Sequence, residues 1–417
     1  MKPRGRALPA GAFKPRALGT WLAALAVALT AGMASGAPTV ILLSWDGMRH
    51  DGPDRAGAPA LERIRREGAR AERLLPVFPS NTFPAHVSLA TGTYPDRHGI
   101  VDNVFLDRGR GPFRKSDDAS WIDAEPLWIA AERQGVPTAV FFWVGSATDW
   151  RGQRPRYRVT PFDSGVGEER KVEQILGWLD LPEAERPRLV MAWWHGADAT
   201  GHAYGPDASS VRDALREQAS HLARLLEGID ARKRWSETTL LLVSDHGMTN
   251  VVGEVALRQR VEAAGVAARV TGSGAVSHVF LEDPSDRERL EGELARVEHI
   301  TLHRGEALPD DLRLRHPRRT GDLVVLADPG HVFRVGTWRQ RTWRSIRRLL
   351  GQRTGSHGYA PDHPDMAGVF LALGRGVRAG TRLGVVRQVD VAATATRLLG
   401  IDPPRDSEGV PIAGIGE

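Results

Sequence analysis

The sequence predicts an α/β protein with a mostly parallel central sheet covered by helices on both faces, plus a smaller inserted α+β subregion. Three observations predict it. Short, widely separated apolar runs read as buried strands, and helical periodicity fills the intervals between them. The stretch 251–350 breaks that rhythm: it is richer in Arg, Gly and Pro, and its strands are irregularly spaced. The chain is also large enough, with 417 residues of which 41% are hydrophobic, to bury a sizeable core.

Taken in order, the chain opens with Arg4, Arg6, Lys14 and Arg16 before an apolar run from Leu18 to Ala31, followed by the small residues Ala34, Ser35 and Gly36. That is the order of a secretory signal peptide, so residues 1–36 are read as a leader and the protein as exported, periplasmic or secreted. A membrane span needs about 20 apolar residues, which leaves an uncleaved N-terminal anchor as the alternative. Residues 37–417 are then read as the single folded domain. Its strands are Thr39 to Trp45, Thr138 to Val144, Leu189 to Trp194, Thr238 to Ser244 and Gly368 to Leu373. Its helices are Ala58 to Glu67, Glu125 to Arg133, Glu168 to Leu179, Val211 to Glu227 and Val389 to Leu399. The subregion 251–350, with strands such as Ser277 to Leu281 and Asp322 to Ala327, falls between the fourth and fifth core strands.

Composition narrows the chemistry. With no cysteine, disulfides, thiolate metal sites and a lipoprotein anchor are excluded, so any metal is held by Asp, Glu, His or hydroxyl oxygen. The net charge of +5 comes almost wholly from arginine; Lys2, Lys14, Lys115, Lys171 and Lys233 are the only lysines. The charge alone argues weakly for an anionic substrate and not for nucleic acid. No protein partner is inferred. The basic, Trp-containing run 338–353 reads as a solvated helix face, with contact to a membrane surface as the alternative.

Acidic and histidine residues cluster where strands end. Asp46 closes the first strand, Asp245 and His246 close the fourth, and Asp198 and His202 follow the third. In open α/β sheets ligands bind beyond the carboxyl ends of the strands, where distant segments converge. An Asp and a His four apart share one side of a helical turn and can grip one ion. Each alone could be a helix cap or a turn residue; three such signals together point to metal. Thr82 precedes Phe83-Pro84, and reads as the cap of a helix whose free N–H groups and dipole favour an anion. A free threonine hydroxyl is a poor nucleophile, so catalysis by Thr82 needs activation.

The run T-F-P-x-H-x-S-L-x-T-G-x-Y-P-x-x-H-G-I-x-D-N, ending at Asn103, resembles the nucleophile region of the nucleotide pyrophosphatase/phosphodiesterase family of the alkaline phosphatase superfamily. Further matches follow in family order: F-F-W-x-G-S at Phe141 to Ser146, E-E-R at Glu168 to Arg170, D-x-x-G-H-x-Y-G-P from Asp198, S-D-H-G-M from Ser244 and G-S-H-G-Y from Gly355. The resemblance implies an alkaline phosphatase-like fold and two zinc ions. One zinc would sit on Asp198, His202 and His357; the other on Asp46, Asp245, His246 and the Thr82 oxygen. His50, His86, His98, His195 and His363 would be structural or supporting.

The implied reaction is hydrolysis of a phosphodiester or pyrophosphate bond in a small-molecule substrate, a nucleotide above all. It would pass through a covalent phospho-threonine monoester at Thr82, with the Asn103 amide and the Thr82 N–H holding a phosphate oxygen. Phe83 and Phe162 match base-stacking positions, with a core role as the alternative for both. Val144 and Ala85 depart from the family's proline and asparagine at their positions. A lysophospholipid or glycerophosphodiester hydrolase, a phosphomonoesterase and a phosphonate hydrolase are the alternative enzymes. A sulfatase would need a Cys- or Ser-based motif that is lacking. A non-catalytic zinc or adhesion protein would need degraded ligands, and the ligands are intact.

Overall fold

The computed structural model describes residues 36–334 and 353–417. The leader and nearly all of the basic run 338–353 therefore lie outside the described residues. Residues Ala37–Glu417 form one compact unit.

Its centre is an eight-stranded sheet. In chain order the strands are β1 (Thr39–Trp45), β2 (Ala69–Leu75), β3 (Thr138–Phe141), β4 (Tyr157–Val159), β5 (Leu189–Trp194), β6 (Thr238–Val243), β7 (Phe370–Gly374) and β8 (Thr381–Arg387). Their spatial order is β8-β2-β7-β6-β1-β5-β3-β4. β1 runs parallel to β5 and β6 with Val40 opposite Leu189 and Thr239. Only β7 is reversed, antiparallel to both β6 and β2.

Alternate residues of β1 enter two different cores, as a strand buried on both faces must. Val40 and Leu42 pack with the helices Thr82–Thr91 (α2), Leu127–Arg133 (α3) and Asp390–Leu399 (α7). Ile41, Leu43 and Trp45 pack with Pro59–Glu67 (α1), Glu168–Leu179 (α4) and Ser209–Ala231 (α6). Each such aliphatic side chain contributes about 1.5–3 kcal/mol by leaving water. The three-layer architecture is the predicted one.

Several expected boundaries move. β3 stops at Phe141 because Phe142 turns into the left-handed region at φ 57°. α3 begins at Leu127, not Glu125, because Pro126 is its extended N-cap. β2, β4 and β8 go unmarked by any long apolar run. The stretch between β6 and β7 does form an α+β layer among the described residues. A four-stranded antiparallel sheet (Ala268–Ser273, Val276–Leu281, Leu323–Ala327, Ile300–Arg304) packs with helices Leu257–Ala263 and Arg287–Leu294. It is stitched to the core by Arg319, fully buried, which donates to the Asp107 carboxylate and to the carbonyls of Gly99 and Trp121. No helix among the described residues is long and apolar enough to cross a membrane.

Candidate metal centre

Three neighbouring parallel strands, β6, β1 and β5, end on one edge of the sheet, and their carboxyl ends carry the acidic and histidine residues. Asp46 follows β1, Asp245 and His246 follow β6, and the segment after β5 enters the short helix Asp198–Tyr204 (α5), which carries Asp198 and His202 one turn apart. His357 arrives differently. It follows the two-residue strand Gly355–Ser356, which pairs antiparallel with Thr249–Asn250 on the chain leaving β6. Close approach demands glycine here: Gly196 has φ +65°, and a Cβ on it would lie 2.0 Å from the Asp46 carbonyl oxygen.

Two groups result, each offering three ligand atoms within 4.8 Å of one another: Asp46, Asp245 and His246, all buried, and Asp198, His202 and His357, more open to solvent. The histidine tautomers follow from backbone partners. Nδ1 of His246, His357 and His202 lies 2.9–3.0 Å from the carbonyls of Gly247, Ser80 and Gly355. A carbonyl only accepts, so each Nδ1 carries the proton and each Nε2 presents a lone pair to the site.

Without a cation this arrangement is self-repelling. His202 Nε2 and His357 Nε2 face each other at 3.1 Å. His246 Nε2 lies 3.2 Å from Asp245 Oδ2 and 3.6 Å from Asp46 Oδ1. Asp46 Oδ1, Asp245 Oδ2 and Asp198 Oδ1 are buried with no hydrogen-bond partner, whereas Asp245 Oδ1 accepts from the amides of Gly47 and His246. Burial, then the neighbouring Asp245 and Asp198, pushes Asp46 well above the usual carboxylate range. Burial, then His246 and His202, holds His357 well below the usual imidazole value. Buried oxygens and imidazole lone pairs converging in this way fit metal ions that take oxygen and imidazole ligands, a donor set that zinc accepts.

Thr82 sits against the buried group, its Oγ1 3.3 Å from His246 Nε2. It is not the helix cap. Asn81 takes the extended N-cap conformation, its carbonyl accepting from Ala85 N, and Thr82 is the first helical residue with Pro84 third. Proline fits there because the first turn needs no N–H from it. Asn103 Oδ1 accepts from Phe83 N at 2.8 Å, which turns its amide nitrogen the other way. Among the described residues the Thr82 N–H has no protein acceptor. Phe83 is only 6% exposed and meets Phe113 edge-on. Phe162 is half-buried, stacked on Trp193 with centroids 5.0 Å apart, and Trp193 in turn meets His86.

His86 is buried and donates from Nδ1 to the Thr82 carbonyl; burial lowers its pKa. His98 donates to Ser88 and His195 packs beside Lys171 and Glu168, while His50 and His363 serve loops near Ala367 and Asp365. None of the five joins either group.

Sequence reasoning missed Asp102, which precedes Asn103, and Lys115. The Lys115 backbone is left-handed at φ 46°, its N–H bonds the Asn103 carbonyl, and its charge acts on both Asp46 and His357. Being one of five lysines in an arginine-rich chain was its only sequence signal.

A family profile described as type I phosphodiesterase / nucleotide pyrophosphatase matches residues 40–360. An uncharacterised pyrophosphatase/phosphodiesterase of Schizosaccharomyces pombe is 37% identical over 217 residues, 50% of this chain and 44% of the relative. Human ectonucleotide pyrophosphatase/phosphodiesterase family member 1 is 27% identical over 385 residues, 88% of this chain and 40% of the relative. A bis(5'-adenosyl)-triphosphatase of Xenopus laevis is 28% identical over 380 residues, 88% of this chain and 79% of the relative. The chain thus spans less than half the length of the first curated relatives it matches. Among solved structures, an inactive variant of murine ectonucleotide pyrophosphatase/phosphodiesterase 5 in complex with AMP has a TM-score of 0.80 at 22% identity, covering 90% of this chain and 97% of that one. With the profile spanning most of the chain, the protein belongs to the type I phosphodiesterase/nucleotide pyrophosphatase family.

Proposed function

We propose that the protein is an exported, two-zinc nucleotide pyrophosphatase/phosphodiesterase in which Thr82 is the nucleophile. The observation that carries this reading is the pair of facing ligand groups, with the rings of His246 and His357 stacked 3.6 Å apart between them and the Thr82 hydroxyl at the buried one. Asp46, Asp245, His246 and the Thr82 oxygen would hold one zinc, and Asp198, His202 and His357 the other. When bound, such ions act as Lewis acids that lower the hydroxyl pKa and stabilise charge on oxygen.

The chain's own residues do the rest. Thr82 Oγ forms a bond to phosphorus as the bond to the leaving oxygen breaks in line. For a diester substrate, atom balance leaves the nucleoside attached. The intermediate is then a Thr82 phosphodiester of the nucleoside, which corrects the monoester expected above. Water attacks it from the opposite side and releases a nucleoside monophosphate. The Asn103 amide and the Thr82 N–H, both without a protein acceptor among the described residues, receive the oxygen on which charge develops. Phe162, half-buried and stacked on Trp193, is the platform proposed for a base, and Phe83 forms part of the wall.

Support for nucleotides comes from relatives: one is named as a bis(5'-adenosyl)-triphosphatase and a structural neighbour binds AMP. Zinc-loaded protein should hydrolyse thymidine 5'-monophosphate p-nitrophenyl ester with a kcat/KM at least ~10-fold above that for p-nitrophenyl phosphate. A preference for p-nitrophenyl phosphate would make it a phosphomonoesterase.

A further inference from the structure

Asp102 is fully buried, and among the described residues no cation pairs with it. Four donors surround its carboxylate. Oδ1 accepts from Asn103 N at 2.6 Å, Asn81 Nδ2 at 2.8 Å and Ser273 Oγ at 2.5 Å, and Oδ2 accepts from Ser273 N at 3.0 Å. Burial raises the carboxyl to about 7, and the four bonds pull the other way, toward the ionised form.

The donors belong to the pieces that the reaction requires. Asn81 caps α2, whose first residue is Thr82. Asn103 holds the amide of Phe83, the second residue of that helix. Asp102, Asn81, the first turn of α2 and Asn103 therefore close a ring of bonds around the two donors that face the phosphate. Ser273 comes from elsewhere. It ends the strand Ala268–Ser273 of the inserted subregion, at the tight turn into Val276–Leu281.

We infer that Asp102 is a positioning residue that locks Asn103 and the start of α2 into register for phosphoryl transfer, and that Ser273 makes the inserted subregion part of that lock. The inference rests on the function proposed above. It assigns the subregion between β6 and β7 a catalytic consequence through one side-chain contact. Because the lock acts on donors that engage developing charge, its loss falls on the transition state and not on substrate binding.

The test uses Asp102→Asn, Ser273→Ala and Ser273→Thr in the full chain loaded with zinc. Asp102→Asn should lower kcat by about 10²-fold, the scale of losing one oxyanion donor, with KM within roughly 3-fold and zinc content unchanged. Ser273→Ala should lower kcat by roughly 10-fold and Ser273→Thr should restore it, since threonine keeps the hydroxyl. Equilibrium binding supplies a readout independent of turnover. Orthovanadate, a mimic of the five-coordinate phosphorus, should bind more weakly by the same factors, while AMP binding stays unchanged.

Wild-type kcat and vanadate affinity in Asp102→Asn at full zinc content would overturn the inference, as would a loss confined to KM. If Asp102→Asn does not fold, the serine pair decides: unchanged kcat and vanadate affinity in Ser273→Ala overturns it. Failure of the underlying function looks different, because Thr82→Ala would then retain turnover.

Discussion

The two ligand groups are built by different means. Asp46, Asp245 and His246 come from the ends of adjacent parallel strands, are wholly buried, and inherit their spacing from sheet hydrogen bonds. Asp198, His202 and His357 come from a seven-residue helix and a two-residue antiparallel strand, and His202 has a side chain 42% exposed. The first is rigid because the sheet is rigid. The second sits where solvent, and in the proposed reaction the attacking water and departing group, can enter. On the proposed reading, one fold thus supplies a fixed nucleophile side and an open exchange side.

The largest test of that contrast removes the proposed nucleophile. Thr82→Ala should lower turnover at least ~10³-fold while zinc stoichiometry stays at two, because the side chain's chemical role exceeds its share of metal binding. Atomic-emission analysis beside steady-state kinetics checks both halves. Next come the ligands. Asp245→Ala should leave one zinc equivalent on the open group, and His202→Ala should leave one on the buried group, each affinity loss exceeding the 10–100-fold of an outer-partner change. Loss of both zincs in His202→Ala would show that the groups are not separable.

Chelation is a milder perturbation. Zinc should leave in two phases, the faster from the open group by at least ~10-fold, because solvent access governs exchange. A single phase would erase the distinction.

The smallest effect on the centre comes from outside both groups. Glu168 offsets the fully buried Lys171 at 3.5 Å. Its hydrogen bond and charge contacts with His195 and Lys171 outweigh burial and take the carboxyl from 4.5 to about 2, whereas burial takes Lys171 down to about 8. The folded-state pKa of Glu168 is the lower one. Its stabilisation is therefore complete above about pH 4.5 and is lost as pH falls toward 2. Glu168→Gln should destabilise by about 3 kcal/mol at neutral pH, because it strands a buried cation. Lys171→Met should recover much of that loss, and zinc content should stay at two in both. Denaturant unfolding measures it.

The contrast also explains what was legible in the sequence. Strands β1, β5 and β6 announce themselves by apolar runs ending in Asp46, Asp245 and the approach to Asp198, so the buried group is visible as a pattern. β2 hides behind Arg70, Glu72 and Arg73, and β8 is mostly exposed. Neither carries an apolar run. The reversal of β7 depends on where the inserted subregion returns the chain, which no local pattern encodes. His357 follows a two-residue strand with no signal of its own, and only the family resemblance marked it. Asp102 stood in the quoted D-N pair without a role for a related reason: its donors lie up to 171 residues away, and their convergence exists only after folding. The cap at Thr82 was misread by one residue because Asn81 and Thr82 are both competent caps.

The most direct measurement is acid quench of zinc-loaded protein during turnover of a nucleotide diester, followed by mass analysis of the peptide that carries Thr82. The account predicts a nucleoside monophosphate adduct on Thr82, absent in Thr82→Ala. An unmodified Thr82, together with turnover surviving in Thr82→Ala, would contradict it.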